Sequence, residues 1–256
     1  AEPSERTEIL VAYDDDFVYV AGRCFDREPD KIQATSKKRD ETKLSNDWLG
    51  IILDTFHDRE NGLGFFTTPA GLRQEMAIFN DAEGDFPANL DWNTFWDVET
   101  VRNAEGWFAE MRIPLSSLRF QAVDGRVVMG LIAKRYIARK NESLTFPAIP
   151  PKWGFWGSFK PSQAREVVFE GVTRHRPLYV APYVLAGYGR SYSLNEAETA
   201  YRAEDKFVHE AGLDVKYGLT NNLTLDLTVN TDFAQVEADN MQVNLTRFSL
   251  FFPEKR

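Results

Sequence analysis

Two indoles and a phenyl ring crowd into "IPPKWGFWGSFK" (Ile149–Lys160), where Trp153, Phe155 and Trp156 lie within four residues, hemmed by Pro150, Pro151, Gly154 and Gly157. Prolines and glycines at that density favour a shaped, exposed loop over a strand. Exposed rings can cover the apolar C–H face of a sugar while planar polar side chains take its hydroxyls. A second cluster, "FPANLDWNTFWD", offers Trp92 and Trp96, and Arg135, Glu110 and Gln74 on neighbouring predicted strands are candidate polar partners. Each ring could equally plug the end of a β-sandwich, and each polar residue could simply face solvent. Trp48 and Trp107 alternate within strand-like runs and read as core.

A cation is the other ligand that the side chains suggest. "NDAEGD" sets Asp81, Glu83 and Asp85 at alternate positions around Gly84, a spacing that lets several oxygens face one hard ion such as calcium. "LDTFHDREN" adds Asp54, Asp58 and Glu60 as a second acidic turn. His57, His175 and His209 are widely separated, which disfavours a transition-metal site. Paired carboxylates could also serve a glycosidase, but 39 acidic residues make chance pairs common. No nucleophile elbow, phosphate loop or dinucleotide fingerprint occurs in the sequence, and catalysis has little to stand on.

The elements that must position these residues are strands. Aromatics make up 13% of the chain, and turn signals punctuate short runs such as Phe17–Phe25, Trp48–Phe56, Leu63–Pro69, Leu72–Phe79, Phe95–Arg102, Gly106–Pro114, Arg126–Arg139 and Arg165–Val172. Asn103–Gly106 is a hairpin signal, since glycine supplies the positive φ that such turns require. Only Pro114–Phe120 looks helical, for about one turn. Residues 1–170 are thus expected to form an antiparallel β-sandwich in an all-β protein. The net charge of −9 and the lack of a basic stripe argue against a nucleic-acid partner. A single cysteine, Cys24, excludes internal disulfides and reads as a buried, inert thiol.

Beyond Gly171 the strands lengthen. In Leu223–Asn230 the apolar Leu223, Leu225, Leu227 and Val229 alternate with Thr224, Asp226, Thr228 and Asn230. Such alternation gives one apolar and one polar face, which suits either a soluble sheet or the wall of an outer-membrane barrel. Tyr179, Tyr183, Tyr188, Tyr192, Tyr201 and Tyr217 add the aromatic excess that barrels place at membrane interfaces.

The residues from Tyr217 to Arg256, "YGLTNNLTLDLTVNTDFAQVEADNMQVNLTRFSLFFPEKR", resemble the start of the barrel region of the bacterial DUF5916 family. "ERTEILVAYDDDFVYVAGRCFDREPDKI", "DWLGIILDTFHDRENGLGFFTTPAG" and "WDVETVRNAEGWFAEMRIPLSSLRF" fit the same family's order and spacing, so the resemblance covers nearly the whole chain. It implies a sandwich (1–170) similar to family 9 carbohydrate-binding modules, a jelly roll, joined to the beginning of an outer-membrane-type β-barrel (171–256). The last segment then reads as an early barrel strand whose partners lie beyond Arg256. Where the family has Asn-Pro-Asp-Phe-Gly and Ala-Asp-Pro, this chain has Asn230-Thr-Asp-Phe-Ala234 and Ala238-Asp-Asn240.

The expected function is glycan recognition in carbohydrate uptake or catabolism, at the outer membrane or in the periplasm of a Gram-negative bacterium. The expected sugar-binding residues are Trp153, Trp156, Phe155, Trp92, Trp96 and Arg135, with a structural calcium ion at Asp81, Glu83 and Asp85. The competing readings are an outer-membrane transport or assembly protein whose sandwich is a plug or periplasmic domain and, third, a glycoside hydrolase.

Overall fold

In the computed structural model, residues 2–41, 43–172, 178–194, 199–218 and 224–230 are described, and the chain divides into two units, Ala1–His175 and Arg176–Arg256. The first unit contains β1 (Thr7–Tyr13), β2 (Phe17–Phe25), β3 (Trp48–Asp54), β4 (Gly62–Thr67), β5 (Arg73–Ile78), β6 (Ala88–Asn89), β7 (Asp97–Asn103), β8 (Gly106–Pro114), β9 (Arg126–Ile137), β10 (Glu142–Phe146) and β11 (Arg165–Glu170). Helix is confined to single turns, among them α1 (Leu115–Leu118), which lies where the sequence suggests one, and α2 (Gly154–Gly157).

All pairings are antiparallel. The first sheet runs β1-β2-β8-β7, and the second runs β10-β9-β3-β4-β5-β6, with β11 also on β9. β2 and β8 alternate, turning Val18, Val20, Cys24, Trp107, Met111 and Ile113 inward. Against them pack Leu49, Ile51 and Leu53 of β3, Phe65 of β4 and Val127, Met129 and Leu131 of β9. Cys24 is fully buried in this core, and burial pushes its thiol up to about 12, so it stays protonated and inert.

The second sheet is apolar on its other face as well. β3 is buried at every residue, and β9 is buried from Met129 to Ile137. On the outer face Trp48, Ile52, Phe66, Met76, Ile132 and Tyr136 form a second core, closed by Phe159 and by the half-buried Ile149, Trp156 and Ala164. β3, between the two cores, therefore reads as a nearly unbroken apolar run, and β9 as one interrupted by Lys134 and Arg135, whereas β2 and β8, covered on one face, alternate.

The second unit holds β12 (Leu178–Leu194), β13 (Tyr201–Gly218) and β14 (Thr224–Val229), paired in that order. The expected barrel strand at residues 231–256 lies outside the described residues. No helix of the described residues is long and apolar enough to cross a membrane, which says nothing about strands.

The β7–β8 hairpin closes as its sequence suggests, with Gly106 at φ +143. A Cβ there would collide with the carbonyl oxygen of Cys24 on β2. Gly106→Ala is expected to lower unfolding stability by about 1–3 kcal/mol through backbone strain, read as a fall in the urea midpoint.

Candidate functional site: an aromatic surface on the outer face of the larger sheet

β10 and β11 pair with consecutive stretches of one edge of β9, Ala133–Ile137 and Arg126–Leu131 respectively. The chain between them leaves the sheet and folds onto its outer face. Pro151 opens one short 3-10 turn and Pro161 another, each supplying the fixed φ that a first helical position favours. Between them, Gly154 takes φ +75, and Gly157 leaves room for the Cβ of Trp153.

Phe159 is the anchor of this segment. It is 2% exposed, lies 6.1 Å from Phe66 and meets Trp156 and Phe155 at 5.2 Å each. Trp156, half-buried, is edge-on to Phe155 at 5.2 Å and to Phe86 at 5.6 Å. Trp153, Phe155 and Phe86 face solvent, at 42%, 59% and 58% exposure. Phe155 and Trp156 thus rest on the buried Phe159, Phe86 of the neighbouring loop meets Trp156 edge-on, and Trp153 is exposed beside them, packed over Gly157.

The acidic turn belongs to the same neighbourhood. Lys160 Nζ lies 2.9 Å from Asp81 Oδ2 and 2.8 Å from Glu83 Oε1, and it donates to the Asp81 carbonyl at 3.0 Å. Asp81 also accepts from Ser162 N at 2.9 Å and Ser162 Oγ at 2.8 Å. Asn80, Asp81 and Ala82 all adopt positive φ, a left-handed turn held by these bonds and by Asp81 N donating to the Glu60 carbonyl at 2.8 Å. Of the residues expected to hold calcium, Asp81 and Glu83 pair with the Lys160 ammonium, and Asp85 is exposed. Among the described residues no three His, Cys, Asp or Glu side chains are gathered as a metal requires. Asp54 and Asp58 instead cap their own turn, accepting from the backbone N–H groups of Asp58, Arg59, Glu60 and Asn61 at 2.8–3.1 Å.

The remaining expected residues lie elsewhere. Trp92 is half-buried against Phe65 at 6.0 Å, on the inter-sheet core. Trp96 is 2% exposed and donates Nε1 to Glu75 Oε2 at 3.0 Å, so its ring is a core element and not a platform. Arg135 is 1% exposed and points to the inner face, donating to the Arg6 and Phe25 carbonyls and to Thr7 Oγ1 at 2.9 Å each. It ties the two sheets together and is not offered to a ligand. Gln74 is buried, and Glu110 is exposed on the four-stranded sheet.

Lys134, the residue before Arg135, points the other way, beneath the aromatic surface. Its Nζ sits 3.4 Å from the Phe159 ring centroid, 5.6 Å from Phe155 and 5.9 Å from Trp48, and it donates to Ser158 Oγ. Ser158 in turn donates to the Phe155 carbonyl at 2.8 Å. Burial holds the Lys134 ammonium far below the usual lysine value of 10.5, at about 7. Lys134 is set in an apolar strand run and carries no signal of this role in the sequence; Lys160 and Phe86 flank the predicted clusters and were within reach.

Comparison with known proteins follows the same outline. Residues 178–256 match the family described as a domain of unknown function, DUF5916. No curated protein matches the chain. The chain is similar to a Bacteroides uniformis protein described as a candidate carbohydrate-binding protein, with a TM-score of 0.52 and 11% identity over 65% of this chain and 79% of that one. That likeness shows a shared fold. It is also similar to a family 9 carbohydrate-binding module from Caldicellulosiruptor kristjanssonii in complex with glucose, with a TM-score of 0.47 and 16% identity over 68% of this chain and 82% of that one. A structure of a family 9 module from the same organism in complex with cellotriose has a TM-score of 0.42 and 17% identity over 68% and 79% of the respective chains.

Two predictions concern the support of this surface. The unfolded chain keeps the Lys134 proton up to about pH 10.5. The folded chain releases it near pH 7, so stability should rise with pH between about 7 and 10.5 and level off below that window. Lys134→Met should flatten that slope and raise stability near pH 6 by roughly 1–4 kcal/mol, because it removes an uncompensated buried charge. Urea unfolding across pH is the measurement, and an unchanged slope would remove Lys134 as its source. Asp81→Ala should cost about 1–3 kcal/mol by stranding the donors of Ser162 and Lys160, with the same readout at fixed pH.

Proposed function

We propose that the first unit binds a carbohydrate on the surface formed by Trp153, Phe155, Trp156 and Phe86, and that the second unit tethers it to the outer membrane of a Gram-negative bacterium as the opening strands of a β-barrel, in carbohydrate uptake or catabolism. The observation that carries the binding reading is a cluster of rings at the surface, with Phe155 and Trp156 packed on the buried Phe159 and Trp153 and Phe86 facing solvent beside them. Rigid aromatic rings lose little conformational freedom on contact and offer flat apolar area to the C–H face of a pyranose. Beside them, Lys160, Glu83 and Asp81 supply donors and acceptors of both signs for hydroxyl groups. The shared fold with the Bacteroides uniformis protein supports the same direction. The tether is supported by the DUF5916 match over residues 178–256 and by the long alternating strands of the second unit.

The test pairs affinity with stability on the same variants. Wild-type protein is screened on a glycan array that includes glucose and cellotriose, then titrated with the best ligand. Trp153→Ala and Phe155→Ala should each weaken binding by about 10- to 100-fold, roughly 1–3 kcal/mol, with little change in melting temperature. Trp96→Ala should do the reverse, costing roughly 3–5 kcal/mol of stability. Folded Trp153 and Phe155 variants with undiminished affinity would place the sugar elsewhere, and an array blank for the wild type would remove the carbohydrate reading.

A further inference from the structure

We infer that the three-stranded sheet of the second unit is a membrane wall with a fixed inside and outside, spanning the hydrocarbon between the Leu178–Tyr217 row and the Tyr188–Phe207 row, with the β12–β13 hairpin end projecting into water. The inference rests on the outer-membrane tether proposed above and adds the depth and facing of its residues.

Along β13 the register sorts side chains by chemistry. Opposite one another on one face are Leu178 and Tyr217, Val180 and Val215, and Pro182 and Leu213, and β14 continues each of these rows with Leu225, Leu227 and Val229. Val184 and Ala211 form the next row. These residues are not a buried core: Val184 is 84% exposed, Val180 54% and Leu227 54%. On the opposite face β13 carries Asp214, Glu210, Lys206, Glu204 and Arg202 beside Val208, while β12 carries Tyr179, Ala181, Tyr183 and Leu185 and then Gly187, Gly189, Ser191 and Ser193, so the polar character of this face comes from β13. Glu210 and Asp214 lie at the same height as the apolar rows, a depth at which carboxylates are tolerable only if their face is wet.

Height identifies the occupant of the apolar face. Ten residues separate Leu178 from Tyr188 along β12, which is roughly 34 Å of strand. At the tilt usual for barrel strands this becomes roughly 25 Å along the membrane normal, the height of a barrel's lipid-facing band. An aromatic ring closes the band at each end, Tyr217 at one and Tyr188 with Phe207 at the other, as girdles do at the two interfaces. His209, one row inside, tilts against Phe207 at 6.0 Å, close to that interface. One row outside it, the apolar face is broken by an ion pair, with Arg190 Nη2 3.0 Å from Asp205 Oδ2. An ion pair on a lipid-facing surface belongs at head-group level or beyond. Acyl chains thus fit the face in extent, in rings and in charge up to the Arg190–Asp205 pair, and the rings that follow it, Tyr192 and Tyr201, suit the head-group zone in which aromatic side chains settle.

The test uses the full-length protein reconstituted into dioleoylphosphatidylcholine vesicles, with a fluorophore on Val184→Cys, Glu210→Cys or Arg190→Cys. Cys24 is buried and stays unlabelled. The label at 184 should be quenched several-fold more by nitroxide lipid than by aqueous iodide, and the label at 210 the reverse. The label at 190 should respond to head-group nitroxide more than to nitroxide deep in the chain. A protein that floats with the vesicles but shows no contrast between positions 184 and 210 overturns the facing alone. Failure to float overturns the tether as well, and a soluble dimer with position 184 shielded from iodide would replace lipid by a second copy.

Discussion

The larger sheet of the first unit is apolar on both sides, and the rest of that unit follows from this constraint. A sandwich covers only one face of each sheet, so Ile52, Phe66, Ile132 and Tyr136 would meet water unless something else lay over them. The cover is residues 149–164, anchored by Phe159 and ringed by Trp156. A cover made of aromatic residues has two sides. Its inner side completes the core, and its outer side becomes the ring-bearing surface on which the binding reading depends. Stability and recognition are therefore assigned to the same short segment.

Two consecutive cations on β9 show how differently a buried charge can be housed. Lys134 and Arg135 point to opposite faces because a strand alternates, and both are buried. Arg135 has a planar fork of donors and reaches three oxygens, of Arg6 just before β1, Thr7 in β1 and Phe25 in β2, which bolts the edge of one sheet to the other. Lys134 has a compact ammonium, one hydroxyl and the faces of rings. The first arrangement holds a permanent charge through bonds from both terminal guanidinium nitrogens, leaving only its Nε without a partner; the second leaves a charge that the protein gives up near neutrality.

Much of this architecture is legible in the sequence, and where it is not the cause is physical. Phe17–Phe25 and Gly106–Pro114 were legible to the residue because their alternation is uninterrupted. β1 and β10 went unread, since their sides are only partly covered and their patterns are mixed. The first ten residues of β13 hold five charged side chains, Glu204, Asp205 and Lys206 consecutive among them, a pattern that reads as loop in sequence. Trp153, Phe155 and Trp156 were found from local spacing, which proline and glycine control. Trp96 and Arg135 were misplaced because their partners, Glu75 and the β1–β2 carbonyls, are distant in sequence. The partner of the acidic turn is hidden for the same reason: Lys160 lies 79 residues from Asp81.

The aromatic cover enters and leaves through one edge of β9, because β10 and β11 share that edge end to end. It is in effect an excursion spliced into a single edge strand, with both ends fixed by neighbouring residues of the same partner. Lengthening, shortening or rewriting its outward positions would leave every ladder pairing of the sheet in register, provided that Phe159 still plugs the face below. Such an arrangement separates the outward positions, which can change without disturbing the ladder, from the few that must hold the frame.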